Sequence, residues 1–295
     1  MSKSKSISPQ EFEAQRQYVD TPSGRIAYVA QGRGPVALFV HGVLVNGYLW
    51  RHQLAHLGAT RRCIAVDLLG HGATEIDPAQ DVSSTANATM LAQFLDALKI
   101  NAVDLVGNDS GGGMALIFAA HHPQRVRSLT LTDCDTHDNW PPEAFKPFLA
   151  LSASGGLRGA LETMLADKNF YRSANALGPA YEDAAKVEDA TIEMYLRTHL
   201  ASEQRTNDLK RFLAAFDCSH TVAVESRLRT LRAPTLIVWG TDDVYFDLKW
   251  SHWLAETIPG TRKRAEFAGA RLFLPEERWE AFNDELRAHW LSSER

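Results

Sequence analysis

The stretch Val103–Ala115, VDLVGNDSGGGMA, constrains the fold of this chain more than any other. β-prone and apolar residues run into Gly107, a glycine-rich turn follows, and a helix of small residues continues from it. A strand that passes into a helix through so sharp a turn needs glycines two places before and two places after its apex, because side chains there would collide. Gly107 and Gly111 therefore put Asp109 at the apex. Ser110 comes one place late, since with it at the apex the leading glycine slot would hold Asn108. The register predicts a backbone φ outside the common regions at Asp109. A phosphate-binding turn is the alternative reading. It is weakened by the absence of a phosphate-loop lysine and by the acid in the turn.

Short apolar runs alternate with helical patterns on either side of this turn. RQYVDT and GRIAYVAQG read as strands joined by a PSG turn, and PVALFVHG as a continuous buried parallel strand. RRCIAVDLLGHG, RSLTLTDCD, PTLIVWG and RKRAEF read as further strands. Helices are expected in GYLWRHQLAHLG, SSTANATMLAQFLDALKI and PEERWEAFNDELRAHWL. Repeated β-α units of this kind argue an α/β fold, a parallel sheet with helices on both faces. The alternation stops near THDNWPP and resumes near RAPTLIVWG. The chain thus divides into a disordered tail over 1–14, an α/β core over 15–138 and 222–295, and a helical insertion over 139–221.

Charge and cysteine usage narrow the functional classes. The 295 residues carry a net charge of −5 and no basic cluster, which argues against nucleic acid as a partner. No apolar run approaches the length of a membrane span, and MSKSKSISPQ lacks the apolar core of a signal peptide. Cys63, Cys134 and Cys218 show neither metal spacing nor a paired pattern. A reduced, cytoplasmic protein without metal or organic cofactor is the expectation, with a small molecule as its partner and an oligomeric state that the sequence leaves open.

Taken with the elbow, LFVHGVLVNGYLWRHQL, DLLGHGATE, PTLIVWGTDD and FLPEERWEAFNDELRAHW resemble the α/β-hydrolase superfamily. More narrowly, the chain resembles its aspartate-nucleophile branch of haloalkane dehalogenases and epoxide hydrolases. The resemblance implies a mostly parallel eight-stranded sheet, with the insertion as a helical cap. It implies Asp109 as nucleophile and Asp243 as the acid delivered by the strand before it. The backbone N–H groups of Val43 and Ser110 would be the oxyanion donors.

The departures are as informative. That family needs a histidine about 28 residues after the acid, whereas FAGARLFLPEE places Arg271 and Leu272 in the Gly-His slots, and no histidine lies between His252 and His289. An aspartyl ester normally needs a base for its hydrolysis. His220 and His137, near the ends of the insertion, are the candidate substitutes, against the ordinary reading of both as surface hydrogen-bonding groups. Ser110 and Val43 occupy slots in which the dehalogenases often carry side-chain N–H donors, which disfavours halide release. Tyr171, Tyr181 and Tyr195 are cap-pocket candidates for protonating an opening epoxide, against ordinary helix packing. The expected function is a hydrolase acting on a small, largely apolar molecule through Asp109. The alternatives are a serine esterase on Ser110, a lyase with Asp109 as base, and a non-catalytic ligand-binding pseudo-hydrolase.

Overall fold

The computed structural model describes residues 6–293. Eight strands form one sheet: β1 Arg16–Thr21, β2 Gly24–Gln31, β3 Val36–Val40, β4 Arg62–Val66, β5 Val103–Asp109, β6 Val126–Cys134, β7 Thr235–Gly240 and β8 Thr261–Phe267. Their spatial order is β1-β2-β4-β3-β5-β6-β7-β8. The first hairpin pairs antiparallel to β4, and every later pair is parallel. This is the α/β-hydrolase fold. β5 and β7 are buried along their whole length, as a parallel strand covered on both faces must be. The edge strands β1 and β8 alternate with solvent instead.

The helices are α1 Pro9–Ala14, α2 Arg51–Leu57, α3 Ser84–Ala97, α4 Ser110–His121, α5 Lys146–Ala153, α6 Leu157–Ala166, α7 Lys168–Tyr171, α8 Asp189–Leu200, α9 Glu203–Ala214, α10 Ser219–Val222, α11 Glu225–Leu228, α12 Lys249–Thr257, α13 Leu274–Glu277 and α14 Trp279–Ser293. The seven helices α5–α11 all fall between β6 and β7, where the sequence pattern loses its strands. The last helix expected from the sequence is broken at Arg278, between α13 and α14.

One expectation fails. Within the tail expected to be disordered, residues 9–14 form α1, capped reciprocally by Ser8 and Glu11. Phe12 is buried edge-on against Tyr48, whose hydroxyl donates to the Ile7 carbonyl at 3.1 Å. The polar composition around Phe12 hid this anchor. Residues 1–5 of the same tail lie outside the described residues.

The sheet order fixes where a ligand can reach. The chain leaves β3 toward β4 on one side and β5 toward β6 on the other, so the direction of winding reverses between β3 and β5 and a crevice opens beyond their carboxyl ends. Asp67, just past β4, braces this end. Its buried carboxylate accepts from the backbone N–H groups of Gly47 and Ala73, both at 2.8 Å, and pairs with Arg16 at 2.8 Å. Asp67→Ala leaves two N–H groups and a buried guanidinium short of their acceptor. We expect it to cost about 3–5 kcal/mol of unfolding free energy, read by urea denaturation; a loss below about 1 kcal/mol would show that Asp67 does not brace these loops.

Candidate functional site

The elbow has the predicted geometry. β5 ends at Asp109 with φ 56° and ψ −136°, and α4 starts at the next residue. Such a backbone costs on the order of 1–3 kcal/mol and persists only where its surroundings enforce it. Here the enforcement is steric. A Cβ on Gly107 would fall 2.7 Å from Gly112 Cα, so strand and helix touch through glycine alone. Gly42, in the loop after β3, lies so close to the Asp109 side chain that no Cβ fits between them.

That contact delivers the neighbouring N–H. The Val43 backbone donates to Asp109 Oδ2 at 2.9 Å, and the Ser110 backbone N–H also holds the carboxylate. The resemblance implies both residues as oxyanion donors; in this structure their N–H groups hold Asp109's own carboxylate. Asp109 is buried, and burial pushes its carboxyl up to about 7 despite these two bonds, with the Asp243 charge adding to the rise. Asp243, three residues past β7, is likewise pushed up to about 7 by burial, against the pull of the Tyr245 and Phe246 N–H groups on its Oδ1 and the charge of Arg271.

Two further buried carboxyl groups that the sequence analysis passed over lie at the end of β6. Asp133 accepts from the Gly240 N–H at 2.9 Å and from the Thr132 hydroxyl at 3.0 Å. Asp135 is fully buried, and neither of its oxygens has a hydrogen-bond partner. Burial, and then the Asp109 charge, raises its carboxyl well above the ordinary range, and the nearby Ser110 hydroxyl opposes the rise without overcoming it. The signal was present in TDCD, where acids end an apolar strand next to the elbow strand. Only the pairing of β5 with β6, which brings the Asp135 N–H to the Asp109 carbonyl at 3.4 Å, gives it meaning.

A narrow cavity of about 20 Å³ lies over Asp109, room for roughly one water molecule. Asp109, Asp135 and the Tyr245 phenol are the polar side chains that line it among the described residues; Val43, Leu272 and other apolar groups supply the rest. Burial, with the Asp243 and Asp109 charges, pushes the Tyr245 phenol up to about 12, so it stays a neutral donor. Phe145, Leu177 and Tyr245 separate the cavity from an outer apolar groove, whose lining they share.

Several expected site residues lie elsewhere. His220 bonds the Thr85 hydroxyl at 2.8 Å on α3, and His137 pairs with Glu225 at 3.1 Å on α11. Neither histidine lines the cavity, because each turns outward to a polar neighbour on the surface of the fold. Leu272 does line it, in the slot where the resemblance implies a base, and the Asn108 amide holds the Leu272 carbonyl at 2.9 Å. Tyr171 and Tyr181 join through their hydroxyls at 3.1 Å, and Tyr195 donates to Glu276 at 2.6 Å, which Arg51 pairs at 2.9 Å. These three tyrosines pack and tether helices and do not border the cavity. The phenol that does is Tyr245, just beyond the acid motif. Ser110 is buried and absent from the cavity lining.

Asp109, Asp133, Asp135 and Asp243 all hold protons more tightly folded than unfolded. Their contribution to stability is complete below about pH 4 and is lost as pH rises through the folded values, near 7 for Asp109 and Asp243. We expect Asp135→Asn, which removes a carboxyl group that resists ionising in the fold, to stabilise the protein more at pH 8 than at pH 5, relative to wild type. Denaturation at the two pH values measures it; an equal effect at both would contradict the electrostatic account.

With this geometry in view, likeness to known proteins is informative. The alpha/beta hydrolase fold family pattern matches residues 35–277. Haloalkane dehalogenase 2 of Mycobacterium tuberculosis is 28% identical over 243 residues, covering 81% of this chain and 82% of the relative. Monoacylglycerol lipase abhd6-B of Xenopus laevis is 25% identical over 252 residues, covering 80% and 70%. A solved epoxide hydrolase superposes with a TM-score of 0.78 at 18% identity, covering 94% of this chain and 98% of the other. Among the described residues no helix is long and apolar enough to cross a membrane. An eight-stranded sheet in this order, an elbow after its fifth strand and the matching family pattern together show that the chain belongs to the α/β-hydrolase fold family and is a hydrolase of that superfamily.

Proposed function

We propose that the protein hydrolyses a small, largely apolar epoxide through a covalent ester on Asp109. The observation that carries this reading is the polar lining of the cavity, two carboxyl groups and a phenol, with an Asp109 oxygen already seated on the Val43 N–H. A carboxylate attacking an sp³ carbon forms a stable alkyl ester, whereas attack on an acyl ester would form a high-energy anhydride. An opening epoxide develops negative charge on oxygen and needs a proton, which carboxylic acid and phenol both supply. A departing halide needs N–H donors, and no side chain lining the cavity carries one. Dehalogenase chemistry, which the mycobacterial relative's name suggests, is therefore the less suited. The cavity's small volume requires Phe145, Leu177 and Tyr245 to part when substrate enters.

A second reading has one observation behind it. A carboxyl group held at about 7 is also suited to act as a general base on water. One experiment separates the two. With enzyme in excess over a small terminal epoxide in heavy-oxygen water, an ester pathway gives a diol free of label in the first turnover and a label on Asp109. Direct water attack gives labelled diol and unlabelled Asp109. Asp109→Asn is expected to abolish turnover and the intermediate mass; diol labelled in the first turnover would sink the covalent reading.

A further inference from the structure

Rest this on the ester reading, and one step lacks an agent. Once the ester forms, water must lose a proton to attack it, yet Leu272 fills the slot in which the resemblance implies a histidine, and among the described residues no histidine lines the cavity. The carboxyl groups around Asp109 are not equivalent as replacements. Asp133 has its oxygens engaged by Gly240 and Thr132 and does not line the cavity. Asp243 has Oδ1 engaged by two backbone N–H groups and does not line it either. Asp135 lines the cavity beside Asp109, is fully buried, and has both oxygens unpartnered. A buried carboxyl group whose oxygens have no well-placed donor is costly, and native structures keep few such groups without a use.

We infer that Asp135 is a catalytic residue, the acid of the first step and the base of the second, in the place that Leu272 leaves empty. In the free enzyme one proton serves the pair: Asp109 carries the negative charge and Asp135 the proton, since two adjacent buried carboxylates resist ionising together. Asp109 attacks an epoxide carbon, the C–O bond of the ring breaks, and the ring oxygen takes the Asp135 proton. The products are a hydroxyalkyl ester on Asp109 and a carboxylate on Asp135. Esterification removes the Asp109 charge, so the new Asp135 carboxylate no longer faces a like charge.

That carboxylate takes a proton from water, and the hydroxide adds to the ester carbonyl carbon. The oxyanion forms on Oδ2, already seated on the Val43 N–H. Collapse breaks the bond to the alkyl oxygen, which takes the proton back from Asp135 and leaves as the diol. One proton then remains on Asp109, and its transfer to Asp135 restores the starting state. Epoxide and water are consumed, the diol is formed, and no proton is gained or lost. The cavity's space, about that of one water molecule, suits the second step.

The test separates this role from the ester reading itself. A small primary alkyl bromide forms the Asp109 ester without a proton donor; bromide leaves, and Asp135, no longer facing the Asp109 charge, gives its proton to the buffer at alkaline pH, so ester decay is read alone there, by intact mass over time. In wild-type protein the adduct on Asp109 is expected to form and decay. In Asp135→Asn it is expected to form at a similar rate and persist, its decay slowed about 10²–10⁴-fold, the usual worth of a general base. Asp135→Asn is nearly isosteric and puts a neutral amide in place of a protonated carboxyl group, so a denaturation midpoint close to that of wild type shows the variant folded. Asp135→Glu, which keeps the carboxyl group, is expected to recover part of the decay rate. Adduct decay at the wild-type rate in Asp135→Asn would overturn the role of Asp135 and leave the ester reading standing. Absence of any adduct on Asp109 in both proteins, with a small terminal epoxide as well as with the bromide, would overturn the two together.

Discussion

The bond from the Val43 N–H to Asp109 Oδ2 is the contact on which the site is built. It joins the loop after β3 to the apex after β5, the two strands that flank the reversal in sheet order. Nothing larger than hydrogen fits on Gly42 beneath it or on Gly107 behind it. The strain at Asp109 is held by packing on both sides, and the acid cannot swing out to water. That confinement is what lifts its carboxyl to about 7 despite two hydrogen bonds that favour the charge.

Burial of one acid would be a modest matter, but the strand ends gather four. β5 contributes Asp109, β6 contributes Asp133 and Asp135, and the turn after β7 contributes Asp243. Backbone N–H groups at neighbouring strand ends neutralise part of this charge, on Asp109, Asp133 and Asp243. Asp135 receives none. Repulsion is therefore concentrated on the one acid that shares a cavity with Asp109, and a shared proton is the low-energy arrangement. The electrostatics and the proposed chemistry are two descriptions of the same proton.

The loop around Leu272 is placed by its backbone rather than by a polar side chain. Its backbone is still placed by the Asn108 amide on the Leu272 carbonyl, and the Ala270 backbone packs against Gly240 at the end of β7. The loop thus keeps its course with an apolar residue facing the cavity. The Arg51–Glu276–Tyr195 cluster likewise ties α8 to α2 and α13, so the helices between β6 and β7 sit against the core through buried polar contacts. Tyr195 is spent on that tether, which is why it does not border the cavity.

Local constraints were legible in the chain. Glycine spacing set Asp109 at an elbow because sterics act over a few residues, and buried parallel strands show as unbroken apolar runs. The absence of histidine from the FAGARLFLPEE loop needed no coordinates. Which group could take its part did. TDCD reads as the end of a strand, and its acids differ only by which faces a cavity and which meets a backbone N–H. The same limit applies to the tyrosines and histidines: side-chain type is written in the sequence, but whether a phenol closes a tether or borders a cavity depends on residues far along the chain. Phe12 was missed for a related reason, since one aromatic in a polar segment carries no periodicity and gains its meaning only from Tyr48. Sequence determined the fold and the elbow acid through short-range sterics and burial patterns; tertiary structure alone decided which acid stands beside it without a partner, because desolvation and charge repulsion act through space.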